Sequence, residues 1–325
     1  MNDALPQKWP LQIVTVLLLL TACQPGTRLP VASTMLSHDT PHANVTLPAR
    51  AAFYYPWYPE TWSVNGVAVS QQPVLGHYSS DDSSVTKAHI KALDYAKVEV
   101  AVASWWGKGT HDESVRIPRL LAQTQRLGSP LKWAMYYEKE GSGDPSVHEL
   151  QADLKYLTKS YISPSYAVVD GKPVIFVYNA DDTDCEVAKR WRAAAAGWYV
   201  VLKVFPGYRS CADQPSSWHQ YAPAEAADRQ VGFSYSVSPG FWRADEALPR
   251  LPRDLRRWRR NIREMVAVGD PWQLVTTFNE WGEGTAVEEA KAWENGRHGA
   301  FLHALANDGV QAAVLTPSPS LPRTP

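Results

Sequence analysis

From Ala51 onward, short apolar runs rich in β-branched and aromatic residues alternate with stretches whose apolar residues recur every three or four positions. The runs are AAFYYPW (51–57), VEVAVASWW (98–106), LKWAMYYE (131–138), PVIFVYN (173–179), YVVLKVF (199–205), SWHQYAP (217–223), QVGFSYSVSP (230–239) and WQLVTTFNEW (272–281). Helical spacing fills 83–96, 113–127, 146–161, 185–197 and 252–267, each behind a Ser, Asp or Pro start, and 298–308 has the pattern of a closing helix. Strands that are apolar almost throughout belong to a sheet covered on both faces, which here means a parallel sheet with helices outside it. Eight of them close most naturally into a (β/α)8 barrel, an α/β fold in one domain over 51–310. A doubly wound open sheet is the alternative, but no GxGxxG follows the first run. The sixth run is the weakest strand, and the short connection after it leaves little room for a helix.

Chemistry in such a barrel sits where the strands end. Those ends collect Tyr54, Tyr55, Trp57, Tyr58, Trp105, Trp106, Tyr136, Tyr137, Glu138, Tyr178, Asn179, His219, Tyr221, Tyr235, Asn279, Glu280, Trp281 and Glu283. Glu280 and Glu283 lie three apart, directly after the apolar stretch WQLVTTF, where partial desolvation can drive two carboxyl pKa values apart. Their bland reading is a solvated or helix-capping pair at a turn. Glu288 and Glu289 read as first-turn helix acids. His77, in GHYSSDD, either orders its loop or touches a sugar.

Composition narrows the partner. The chain has 14 Trp and 15 Tyr against 7 Phe, rings that stack on a sugar face while an edge N–H or O–H bonds its hydroxyls. A formal charge of −1 argues against nucleic acid, so a neutral glycan or polysaccharide is the expected ligand. The nine histidines are dispersed, with no HExxH and no Cys/His cluster, so neither a metal nor a cofactor is expected. DDTD at 181–184 reads as helix-start acids or as a calcium site, and RRWRR at 256–260 as a solvated helix face with Trp258 turned inward.

The N-terminus reads as an address. Residues 1–22 have the form of a signal peptide, with a ten-residue apolar stretch ending in LTAC, which resembles a bacterial lipobox and makes Cys23 the lipidated residue. A plain secretory signal is the alternative. Residues 23–50 then form a flexible tether and 311–325 a disordered tail. The expectation is an exported monomer of the bacterial cell envelope, periplasmic or cell-surface, anchored in the membrane through Cys23. An oxidising compartment permits Cys185 and Cys211 to pair, and a structural disulfide is expected.

The stretches FYYPWY (53–58), PVLGHYSSDDSSVTKAHI (73–90), SWW (104–106), FVYN (176–179), VSPGF (237–241) and FNEWGEGTAVE (278–288) together resemble glycoside hydrolase family 99, the endo-α-mannosidases and their bacterial relatives. The resemblance implies a retaining glycosidase without cofactor. In it, the glutamate matching Glu280 is the base on the sugar's own 2-hydroxyl, which forms a 1,2-anhydro sugar, and the one matching Glu283 is the acid. Two places depart from the family's pattern. Gly282 stands where the family has a histidine, and Tyr137, Glu138 and Lys139 replace an HIEP-like segment; both touch the sugar-binding surface. A function of another class, a non-hydrolytic carbohydrate-binding or polysaccharide-assembly lipoprotein on the same barrel, is the alternative.

Overall fold

The computed structural model describes residues 44–179 and 184–308. The signal, Cys23, most of the tether, the acids Asp181 and Asp182 and the tail lie outside them. Eight parallel strands form the barrel: β1 Ala49–Tyr54, β2 Val100–Trp105, β3 Lys132–Tyr137, β4 Lys172–Val177, β5 Tyr199–Lys203, β6 Ser217–His219, β7 Ser234–Val237 and β8 Trp272–Val275. Each pairs with its neighbour in sequence except β6 with β7, and β8 returns to β1 with Ala51 opposite Leu274. The sheet is thus nearly a closed circle, as the eight apolar runs predict.

Its seam lies between β6 and β7, the weakest predicted link. The connection there forms no helix but a strand, Ala227–Gln230, that pairs antiparallel with β7. Side chains bridge the gap: Ser236 Oγ donates to the Gln220 carbonyl at 2.6 Å and Ser238 Oγ to that of Pro223 at 2.8 Å.

Outside the barrel stand α1 Ser83–Tyr95, α2 Ile117–Arg126, α3 Val147–Tyr161, α4 Cys185–Ala194, α5 Leu255–Val268 and α6 Gly299–Asp308. The start signals in the sequence act as caps. Asp82, Asp184 and Asp254 each accept a backbone N–H of the first turn, and Ser146 with Glu149 makes a full capping box. Trp258 of α5 turns inward and donates to the Phe301 carbonyl at 3.1 Å, as RRWRR suggests. The Cys185–Cys211 disulfide is present and joins the first residue of α4 to the loop after β5. Glu288 and Glu289 begin no helix: the chain from 281 to 290 is irregular, and the next helical turn is the short Lys291–Trp293.

Side chains along each strand alternate between two cores. Phe53, Val102, Tyr136, Phe176, Val201 and Leu274 fill the barrel, whereas Tyr54, Trp105, Tyr137, Val177 and Leu202 pack outward against helices. That two-residue period decides which of the predicted rim residues face the site.

Candidate active site

A cavity of about 410 Å³ opens at the C-terminal end of the barrel. The strand period continues past the strand ends: Tyr55, Trp106, Glu138 and Tyr178, each one or more residues beyond its strand, turn into the cavity, joined by Trp57 and Tyr221. Tyr54, Trp105 and Tyr137, one position earlier, do not. Tyr54 O–H meets His89 Nδ1 at 3.0 Å behind the sheet, Tyr137 O–H donates to Asp153 at 2.9 Å, and Trp105 is 1% exposed among the outer core. These three expected sugar contacts are corrected to packing residues.

Four more expected contacts serve the site from outside it. Asn279 is fully buried and clamps Tyr55, accepting its N–H and donating to its carbonyl, both at 2.8 Å. Trp281 is buried, its Nε1 donating to Tyr78 Oη and Glu288 at 3.2 Å each. His219 lies inside the barrel against Tyr136 Oη at 3.2 Å; burial, with the Lys203 charge beside it, lowers its pKa to about 3, so it is neutral. His77 is an exposed ring stacked on Trp62 at 4.6 Å, the loop-ordering alternative. Glu288, expected as a solvated acid, is instead a buried acceptor for Tyr78, His89 and Trp281, which brace the back of the turn carrying Glu280 and Glu283.

That turn is built by short polar bridges. Glu280 N–H donates to Thr277 Oγ1 at 2.8 Å, and Thr285 N–H returns to the Glu280 carbonyl at 3.1 Å. Gly284 is required: its φ is +63°, and a Cβ would meet the Trp242 carbonyl at 2.6 Å. Arg253, stacked 4.1 Å from the Trp293 ring, donates to the Gly284 and Ala286 carbonyls at 2.7 Å each. Glu280 Oε1 accepts the Glu283 N–H at 3.1 Å, while Oε2 is buried with no hydrogen-bond partner among the described residues. Both carboxyls border the cavity.

Their electrostatics differ. Burial and then the charge of Glu283 hold the Glu280 pKa well above the usual carboxylate range. Burial raises Glu283 too, but Tyr221 O–H donates to its Oε2 at 3.3 Å and Arg243 and Arg250 favour its anion. Glu138, held by Ser104 Oγ at 2.8 Å, is pushed up to about 8 by burial. The cavity therefore holds three carboxyls that burial raises above the ordinary carboxylate range, Glu283 alone with a tyrosine donor and arginine charges to favour its anion, together with an aromatic wall and a short hydroxyl chain, Tyr55 to Tyr221 to Glu283, the first link being 3.0 Å.

Tyr136, a rim residue by sequence, lines the cavity as the period-two alternation requires, and four further cavity residues were missed from the sequence. Arg243, paired with Asp245 at 2.8 Å, follows the VSPGF stretch by two residues. Ser63 and Val64 belong to a small hairpin for which the Asn65–Gly66 pair was the available signal, and Thr61 lies in the turn just before it.

A barrel end that brings a carboxylate pair to an aromatic-walled cavity holds the groups that glycoside hydrolysis uses. The model of glycosyl hydrolase family 99 matches residues 58–197. The endo-α-mannosidase of that family from Bacteroides thetaiotaomicron superposes with a TM-score of 0.61 at 20% identity, covering 81% of this chain and 97% of that one. A structure described as a glycoside hydrolase-like protein gives 0.57 at 15% identity, covering 85% and 98%. A glycoprotein endo-alpha-1,2-mannosidase-like protein of Danio rerio is 24% identical over 69% of this chain and 60% of its own length. Its Homo sapiens counterpart is 23% identical over 67% and 57%. The chain thus spans under two thirds of the curated relatives it matches. In sequence over residues 58–197, and in fold, it resembles glycosyl hydrolase family 99.

Proposed function

We propose that this protein is a retaining glycoside hydrolase that cleaves α-linked glycans through a 1,2-anhydro sugar. The observation that carries the proposal is the convergence of Glu280 and Glu283 on one aromatic-walled cavity, with Glu280 Oε2 left open for a substrate proton. Glu280 takes the proton of the sugar 2-hydroxyl, O2 attacks C1, and the glycosidic C1–O bond breaks as Glu283 protonates the leaving oxygen. Water, deprotonated by Glu283, then opens the anhydro ring at C1 while Glu280 returns its proton to O2, so that two inversions give net retention. Tyr55, Trp57, Trp106, Tyr178 and Tyr221 supply stacking faces and hydroxyls for the sugar. Around this domain we place export to the bacterial envelope and a lipid anchor at Cys23, which rest on the N-terminal sequence alone.

One observation favours a second assignment of roles within the same site. In the ligand-free pair the anion is better supported on Glu283, which has a hydroxyl donor and two nearby arginines, than on the deeper Glu280. For Glu280 to be the base, glycan binding must shift the shared proton to Glu283; otherwise Glu283 is the base and Glu280 the acid. Leaving-group dependence separates the two. Glu283→Gln should regain part of the roughly 10²- to 10⁴-fold that general-acid help supplies when the leaving group is an activated aryl or fluoride, and Glu280→Gln should not. Rescue of Glu280→Gln alone would reverse the roles. Efficient hydrolysis of a 2-deoxy substrate would remove the anhydro route altogether. Binding of α-mannans and α-glucans without release of reducing ends would favour the non-hydrolytic alternative.

A further inference from the structure

A side chain at position 282 would push on its neighbours, and the reason is not its backbone. Gly282 is absent from the left-handed glycines, yet a Cβ there would meet Glu280 Oε1 at 2.9 Å and Val64 Cγ2 at 3.0 Å. Any larger residue there would displace the Glu280 carboxyl or the Val64 methyl that packs on it. Val64 belongs to the hairpin Ser63–Val64 with Val67–Ala68, turned by Asn65 and Gly66 at φ of 49° and 79°, the geometry that an Asn-Gly pair supports. At its base, Trp62 Nε1 donates to the Tyr78 carbonyl at 2.9 Å and its ring lies 4.2 Å from Tyr58.

The hairpin leaves the barrel after β1, and its tip is tied to the segment after β7: Asn65 Nδ2 donates to Asp245 Oδ2 at 2.7 Å. That segment also grips the carboxylate turn, with Trp242 N–H donating to the Glu283 carbonyl and Ala244 N–H to that of Gly282, both at 2.9 Å. The sheet order is β7, β8, β1, so the two flanking loops meet in front of β8, whose turn carries the carboxylates.

We propose that this hairpin is the specificity-determining wall of the site: clamped over Gly282 and latched by Asn65 to Asp245, it shuts the rim in front of β8. A glycan then leaves the carboxylates only over the rim of β2 to β4, where Trp106 is 48% exposed beside the cavity. The inference rests on the hydrolase proposal and adds the substrate's form, a chain end or short branch rather than a long strand laid across the barrel. The cavity, about 410 Å³, lies near the lower end of the roughly 300–1,000 Å³ of small-ligand sites, which suits one or two sugars.

Asn65→Gly tests the latch, since it keeps a residue that accepts positive φ and deletes only the amide. Amide hydrogen exchange over 281–285 should quicken about tenfold in this variant; unchanged exchange would overturn the latch, with no substrate needed. Gly282→Ala should lower kcat/KM on α-mannan oligosaccharides by about 10²-fold, and adding Val64→Ala should restore at least tenfold of it, because the Cγ2 in the way is gone. Failure of that rescue would remove the hairpin as the partner of Gly282. With end-labelled α-mannan and α-glucan oligosaccharides, the native enzyme should release only terminal fragments at early times and Asn65→Gly should add internal cuts. Internal cuts by the native enzyme would overturn the wall while leaving the hydrolase proposal standing. If no α-linked oligosaccharide is cleaved, the hydrolase proposal falls together with the chain-end inference, and the exchange result still decides the latch.

Discussion

Glu138 shows how one buried carboxyl couples the site to stability. Its pKa is about 8 in the folded chain against 4.5 for a solvated glutamate, and burial is the main cause. A carboxyl raised on folding binds a proton that the unfolded chain has released, so stability from this group is complete below pH 4.5 and falls as pH climbs toward 8. Glu138→Gln, neutral at every pH, should therefore raise the melting temperature at pH 8, by an amount equivalent to about 4 kcal/mol, and change it little at pH 4. A melting temperature equally displaced at both pH values would mean that Glu138 is ionised in the folded protein. At this scale much of the site was visible in the chain. Glu280 and Glu283 stand out because acids three apart rarely follow a buried strand without cause, and Glu138 because it ends an apolar run. Tyr54, Trp105 and Tyr137 were assigned to the wrong face, since a cluster of adjacent aromatics such as FYYPWY does not mark where the two-residue alternation puts each ring. Glu288 was misread for a related reason: nothing local distinguishes a solvated acid from one that meets Tyr78, His89 and Trp281 from elsewhere in the chain.

Elements were read more securely than residues. All six predicted helices and all eight strands occur, because capping residues and sustained periodicity are local signals that tertiary packing here reinforces. Their limits were less legible: the last apolar run extends to 281, yet its strand is only Trp272–Val275, after which the chain turns to build the carboxylate loop. The Ser63–Ala68 hairpin was missed although Asn65–Gly66 advertises it, since two-residue strands are too short to show alternation. The disulfide ties α4 to the loop after β5, closing a segment of 26 residues next to the rim. Replacing both cysteines by serine should cost about 3 kcal/mol, on the loop-closure account, and should lower the denaturant midpoint, with a slope equal to or steeper than that of the cross-linked chain because the unfolded state is then less restricted. An unchanged midpoint would show that the barrel alone holds α4 in place.

For the whole molecule, the barrel gathers groups from β1, β3, β4 and β8 and the loops after them at one end, which no stretch of chain contains by itself. Cellular placement belongs to this scale too, and it rests on residues outside those the structure describes. Cys23→Ala should shift the protein from the membrane fraction to the soluble one or block its processing; unchanged fractionation and mass would sink the lipid anchor. No helix among the described residues is long and apolar enough to cross a membrane.

Periodicity, caps and motif order by themselves determined the class of fold, the succession of elements and the two glutamates at the heart of the site, because each is written in residues a few positions apart. Tertiary structure alone decided the rest: which rings turn inward, that the β6–β7 seam is held by serine hydroxyls, that Glu283 has a tyrosine donor and Glu280 none, and that Val64 takes the space beside Gly282. Those outcomes depend on contacts between residues more than 200 positions apart, Val64 and Gly282 or Tyr55 and Asn279 among them, and on how far each carboxyl is withdrawn from water. Burial is a property of the folded surroundings, so the chemistry of these acids emerges only once the barrel has closed around them.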